Sequence, residues 1–369
     1  MKASVRKSRF LKLSLCLAAY AIGGTLSSLN AEPSAAPASL PSSFKGTSLI
    51  MMPTTKPVDD STLEIHINHR FGSARTGVQD FFGLDGGANV QLSADYGITR
   101  WMSLGIARTS DYKTYEGRMK IVPIEQSDSF PFSLGFFLVA GQETSKQQVS
   151  LGRNFLSQFQ FSDPALASVA AQMGDQKYVL SDNDKRSYLG SILLSRRFGS
   201  ILSLQISPMY VHRNFVKSHL GNDRAGFSFG GRIKLSEVID LTFETIAAPK
   251  RDYIGDDYDT LDRKSYGTLP TLSAAEINPG NLRDAYLRNV LYHQPVPYYY
   301  VPFSLGIDID TGGHVFQIFF SNSRVMAQTQ LLRGADFDFG KKDYVIGFNL
   351  SRLFWFSDDS SGGRAGGSQ

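Results

Sequence analysis

The stretch DYVIGFNLSRLFWF, residues 343–356, carries the reading that decides the fold. Tyr344, Ile346, Phe348 and Leu350 alternate with Val345, Gly347, Asn349 and Ser351. A period of two is the mark of a strand with one apolar and one polar face. The run closes on Phe354, Trp355 and Phe356. An apolar outer face, a polar inner face and aromatics at the end form the pattern of a membrane-spanning barrel strand.

The same alternation recurs upstream. Leu63, Ile65 and Ile67 oppose Glu64, His66, Asn68 and Arg70. Leu92, Ala94 and Tyr96 oppose Gln91, Ser93 and Asp95, and Leu104 and Ile106 oppose Ser103 and Gly105. Comparable segments lie near residues 115–121, 130–138, 188–195, 202–210, 227–234, 239–244, 303–310 and 316–320. The expected fold is all-β: a single antiparallel transmembrane β-barrel of about twelve strands with partly helical loop insertions. Its domain spans residues 60–356, with insertions at 141–186 and 248–299. Connections alternate between short turns, such as Gly199-Ser200, and longer loops, such as 72–88 and 323–342. Sorting of loops by parity is expected of an outer-membrane barrel with short periplasmic turns.

Within the insertions, Asp163 and Pro164 open a predicted helix over 165–173, stopped by Gly174. Asn278 and Pro279 open a second that runs to Tyr292, before Pro295.

Residues 1–31 form an expected signal peptide: a basic start with Lys2, Arg6, Lys7, Arg9 and Lys12, an apolar core, and Ala31 at the cleavage point. The chain has 38 Lys and Arg, 34 Asp and Glu, and a formal charge of +4. Setting aside the five basic residues of the leader leaves 33 against 34, a net charge of −1. The basic balance belongs to the leader, so no nucleic-acid partner is inferred. Cys16, the one cysteine, also lies in the leader, so the exported chain has no disulfide to rely on. Residues 32–59 begin Pro-, Ala- and Ser-rich and are expected to be a disordered lead-in; residues 357–369, rich in Gly and Ser, a disordered tail.

The lumen face carries both signs of charge. Glu64, His66, Asp95, Glu116, Glu244 and Asp308 face inward with Arg70, Arg118 and Arg232. In a narrow barrel such groups cross-pair into a network that fills the pore. A pore lining and a catalytic role are the alternatives. Candidate interface anchors are Trp101, Arg197, Phe198, His314, Arg352 and Trp355, with arginines reaching phosphate headgroups and aromatics lying at the boundary.

Several motifs are read as structural. His66 and His69 point to opposite faces of a strand, so they cannot share a metal ion. Gly226-Phe227-Ser228-Phe229-Gly230 matches G-x-S-x-G but runs through a strand with no helix following, which a nucleophile elbow requires. Asp308 and Asp310, and the Asp256, Asp257 and Asp259 group, are read as solvated turns rather than calcium sites. No cofactor motif of the P-loop, Rossmann, zinc or haem kind is present.

Phrases spread across the chain carry a resemblance. They are HRFG at 69–72, FGLDGGANVQLSADYGIT at 82–99, SRRFG at 195–199, SPMYVHRN at 207–214, TGGHVFQIFFSNS at 311–323 and GFNLSRLF at 347–354. The sequence resembles a family of exported β-barrel proteins of Bacteroidetes-type Gram-negative bacteria, a domain family of unknown function. The resemblance implies an outer-membrane barrel and no particular activity.

The functional expectation is a non-enzymatic outer-membrane barrel, exported by its signal peptide, with a role in small-solute passage or binding or a surface structural role. Its expected partners are outer-membrane lipid, the barrel-assembly machinery during insertion, and a small solute. An outer-membrane enzyme acting on lipid is one alternative, and a soluble exported β-barrel binding protein is another.

Overall fold

The computed structural model describes residues 43–145, 148–150, 177–179, 181–214, 222–249 and 300–356. The expected signal peptide, both expected helices and the expected tail lie outside these residues.

Twelve strands close into one antiparallel barrel. In chain order they are β1 (Thr62–Ser73), β2 (Asn89–Thr99), β3 (Met102–Thr109), β4 (Thr114–Ile124), β5 (Ser133–Glu143), β8 (Arg186–Phe198), β9 (Leu202–Arg213), β10 (Asp223–Lys234), β11 (Ile239–Ala247), β12 (Phe303–Asp310), β13 (His314–Ser321) and β14 (Val345–Trp355). The short strands β6 (Gln148–Ser150) and β7 (Lys177–Val179) pair with each other outside the barrel, within the first insertion. Each barrel strand pairs with its neighbours in the sequence, and β1 pairs with β14 to complete the ring. Closure leaves no unpaired strand edge, which is the condition for crossing a bilayer with strands.

The opening stretch is the closing strand. Ile67 stands opposite Leu350, and Asn68 opposite Asn349. The faces sort as the alternation predicts. Ile106 is 71% exposed and Ile318 56%, while Glu64, Glu116 and Glu244 are buried. A soluble protein buries such aliphatics. Here they form the outer wall, facing lipid.

One end of the barrel carries the short turns 100–101, 199–201, 235–238 and 311–313, with 125–132 the longest at that end. The other end carries 74–88, 144–185, 214–222, 248–302 and 322–344. Only 110–113 there is a tight connection.

The lead-in differs from expectation. Residues 43–58 are not a disordered arm: they enter the barrel and turn back on themselves. Ser48 bridges Pro53, and the amide of Leu49 donates to the carbonyl of Met52 at 2.8 Å. The tip, Leu49, Ile50, Met51 and Met52, is buried inside the barrel. The apolar run LIMM, set among small and polar residues, has no other place to escape water.

Two glycines make room for this filling. At Gly97 in β2, an added Cβ would lie 1.9 Å from the carbonyl oxygen of Asp59, where the chain leaving the hairpin packs against the wall. At Gly347, it would lie 2.5 Å from the ring of Phe319, which faces inward beneath Arg70.

The orientation of the wall gives a direct test. Ile307 lies mid-strand in β12 on the outer face, between Leu241 and Ile318. Ile307→Arg should cost about 2–4 kcal/mol, the penalty for a cation at the lipid face. Unfolding of protein refolded into bilayers, followed by heat-modifiable gel mobility, checks this. A variant as stable as the parent would contradict the inside-out wall.

Candidate functional site

The candidate site is the lumen and what fills it. Beyond the bonds of Leu49 to Met52 and Thr54 to Thr47, the buried amide and carbonyl groups of the hairpin have no backbone partner among the described residues. Side chains of the wall take that role. The fully buried Glu244 of β11 accepts from the amides of Met51 at 2.6 Å and Met52 at 3.1 Å, and from the hydroxyl of Ser228 at 2.9 Å. Arg70 of β1 and Asn349 of β14 both donate to the carbonyl of Ile50, at 3.2 and 3.0 Å, and Arg70 also donates to Asn349 at 2.8 Å. Gln205 of β9 donates to the carbonyl of Pro53 at 2.8 Å and accepts from the amide of Thr55 at 3.1 Å. Arg232 of β10 donates to the carbonyl of Ser48 at 2.7 Å, and Lys120 of β4 to that of Lys56 at 2.6 Å.

The charged groups that hold the hairpin are themselves paired. Arg232 meets Asp308 of β12 at 2.5 Å, with Thr242 bridging at 2.6 Å to the same carboxylate. Arg118 pairs with Asp95. His66 lies 3.3 Å from Glu64 and 4.0 Å from Asp95, and Glu64 accepts from the hydroxyl of Thr47 at 2.6 Å. Buried charges are tolerated when paired and hydrogen-bonded in this way.

A second element enters from the long-loop end. The loop after β13 folds inward, burying Val325, Met326, Ala327, Gln328, Leu331 and Leu332. Gln328 donates to the carbonyl of Met51 at 2.6 Å, so loop and hairpin touch. The amide and hydroxyl of Thr329 donate to Glu116 at 2.9 and 3.1 Å.

The lumen is two-faced. Beside the charged groups runs an apolar wall: Phe137 and Val139 of β5, Leu189 and Leu193 of β8, Met209 and Val211 of β9, and Ile246 of β11. The hairpin tip and Leu331 and Leu332 pack on it. What space remains near Glu64, His66, Asp95 and Arg118 is a cavity of about 50 Å³. That is room for a water or two, not for a solute.

The structure places all nine expected network residues inside: Glu64, His66, Arg70, Asp95, Glu116, Arg118, Arg232, Glu244 and Asp308. It brings them together around the hairpin, which the sequence reading did not anticipate. His69 points outward and stacks on Phe348 at 5.2 Å, away from His66. Ser228 is buried mid-strand with its hydroxyl held by Glu244.

Among the expected interface anchors, Trp101, Phe198 and Trp355 are exposed at the short-turn end. Arg352 lies over Phe354 at 4.8 Å and His314 stacks on Phe316 at 6.1 Å. Arg197 is a correction. Strand parity turns it inward, where it lines the barrel mouth with Lys45 and Asp240. Its neighbour Arg196 is the outward cation, 5.0 Å over the Phe198 ring.

With this geometry in place, a family model described as "Membrane bound beta barrel domain (DUF5777)" matches residues 44–354. The chain belongs to this family. The matched span begins at Phe44, so it takes in the lumen hairpin as well as the wall. No curated protein matches the sequence. Among solved structures, an outer membrane channel from Pseudomonas putida F1 is similar at 8% identity, covering 80% of this chain and 96% of its own, with a TM-score of 0.38. The NanC porin gives 8% identity, 80% and 100% coverage and a TM-score of 0.38. The Pseudomonas putida toluene transporter TodX gives 10% identity, 81% and 90% coverage and a TM-score of 0.36. Similarities this distant say nothing about what passes or binds.

Glu244 is the contact whose loss should be felt most directly by the hairpin. Glu244→Ala strands two buried amides, at a cost of about 1–3 kcal/mol each. Amide hydrogen exchange at Met51 and Met52 should accelerate while exchange in β1 and β14 stays slow. Unchanged exchange at the tip would show that the carboxylate does not hold the hairpin.

Proposed function

We propose that the chain is an outer-membrane barrel for passage of a small solute, shut at rest by its own hairpin and inward loop. In this reading the short turns face the periplasm, and the assembly machinery inserts the barrel with the hairpin inside. The Trp101, Phe198 and Trp355 girdle, with Arg196 and Arg352, then seats the periplasmic rim in lipid headgroups. One observation carries the reading. The twelve-strand ring closes without the hairpin, which among the described residues pairs with no barrel strand and meets the wall through side chains. A filling held this way can leave while the wall stays intact. Its departure would open a lumen with a charged face and an apolar face.

A static barrel with a surface structural role is the second reading. It is favoured by how completely the hairpin and loop fill the middle of the lumen. In neither reading does the barrel act as an enzyme.

Conductance in planar bilayers separates the two. The wild type should show brief openings from a silent baseline. Thr55 and Ser195 have hydroxyl oxygens 2.5 Å apart, so Thr55→Cys with Ser195→Cys ties the hairpin to β8. Oxidation should abolish the openings and reductant should restore them. A variant lacking both 43–58 and 325–332 should conduct steadily. If that variant folds, by heat-modifiable mobility, yet stays silent, passage is excluded.

A further inference from the structure

We propose that the mouth at the short-turn end holds a binding site for a small organic acid that also carries a hydroxyl or ammonium donor. The site is a cavity of about 560 Å³ between the base of the hairpin and the ends of β8, β9, β10 and β11. That size fits a small ligand. It is present with the hairpin in place, so the proposal does not depend on the lumen opening.

The charges around it leave one cation over. Arg232 is committed to Asp308 at 2.5 Å, and Lys234 to Glu237 at 2.6 Å. Lys45 donates to the backbone carbonyl of Glu237 and is attracted by the carboxylates of Glu237 and Asp240. Arg197 has no acidic partner among the described residues. Its strand end is nevertheless fixed, because its amide donates to Gln126 at 2.7 Å and its carbonyl accepts from the Gln126 side chain at 3.0 Å. Arg197 is therefore the positioned cation left to meet an anion, and a guanidinium fork suits a carboxylate.

The acceptor side is equally specific. Asp240 is only 7% exposed, yet its Oδ1 has no hydrogen-bond partner. A buried carboxylate oxygen without a donor is costly, and a ligand donor would relieve it. A simple inorganic anion would satisfy Arg197 and leave the Oδ1 of Asp240 without a donor. A neutral sugar would do the reverse. Only a molecule with both groups answers the whole site.

Titration calorimetry on the full chain in neutral maltoside micelles tests this with three probes: gluconate, acetate and glucose. Gluconate should bind saturably and more tightly than either of the others. Arg197→Gln should weaken gluconate by about tenfold, the loss expected for one charged hydrogen bond. Asp240→Asn should bring the affinity for gluconate down toward that for acetate. Heat-modifiable mobility confirms that each variant folds. No saturable gluconate binding, equal binding of all three probes, or full affinity in folded Arg197→Gln would overturn the site.

Discussion

Buried backbone must be hydrogen-bonded, and in this barrel that constraint falls on side chains of the wall. The hairpin over 43–58 brings irregular peptide groups into a space with neither a strand ladder nor bulk water. Glu244, Arg70, Asn349, Gln205, Arg232 and Lys120 each reach inward to meet one or two of them. The charge inside the barrel is thus explained by what it holds. An empty lumen would have no use for a carboxylate aimed at two successive amides.

The same filling explains why the lumen has two faces. The tip residues Leu49 to Met52 need apolar company, and the wall from Phe137 to Ile246 supplies it. The peptide groups of the same residues need polar partners, and Glu244, Arg70 and Asn349, some on the same strands, supply those. Each face matches one aspect of the hairpin. The molecule therefore has an apolar core, as soluble proteins do, enclosed by a polar shell and then by a second apolar surface that faces lipid.

Much of this was legible in the residues. The alternation through Ile65, Ile106, Ile318 and Ile346 fixed which face of each strand turns outward, and the inward charges followed by parity. Other signals lie in the same residues. FFLV at 136–139, ILL at 192–194 and IFF at 318–320 are apolar on both faces, as strands buried on both sides are. LIMM at 49–52 interrupts an otherwise polar lead-in. Arg197 shares the parity of Ser191 and Ser195, so the alternation itself turns it inward, and the cation over Phe198 is its neighbour Arg196.

The sequence by itself determined a twelve-strand inside-out barrel, because side-chain period and hydrophobicity are local properties of each strand. What occupies the lumen was decided only in three dimensions. The contacts of Glu244 with Met51, of Asn349 with Ile50 and of Gln328 with Met51 join residues far apart in the chain. No local pattern encodes such a match. It exists only once the ring has closed and set the distances across its interior.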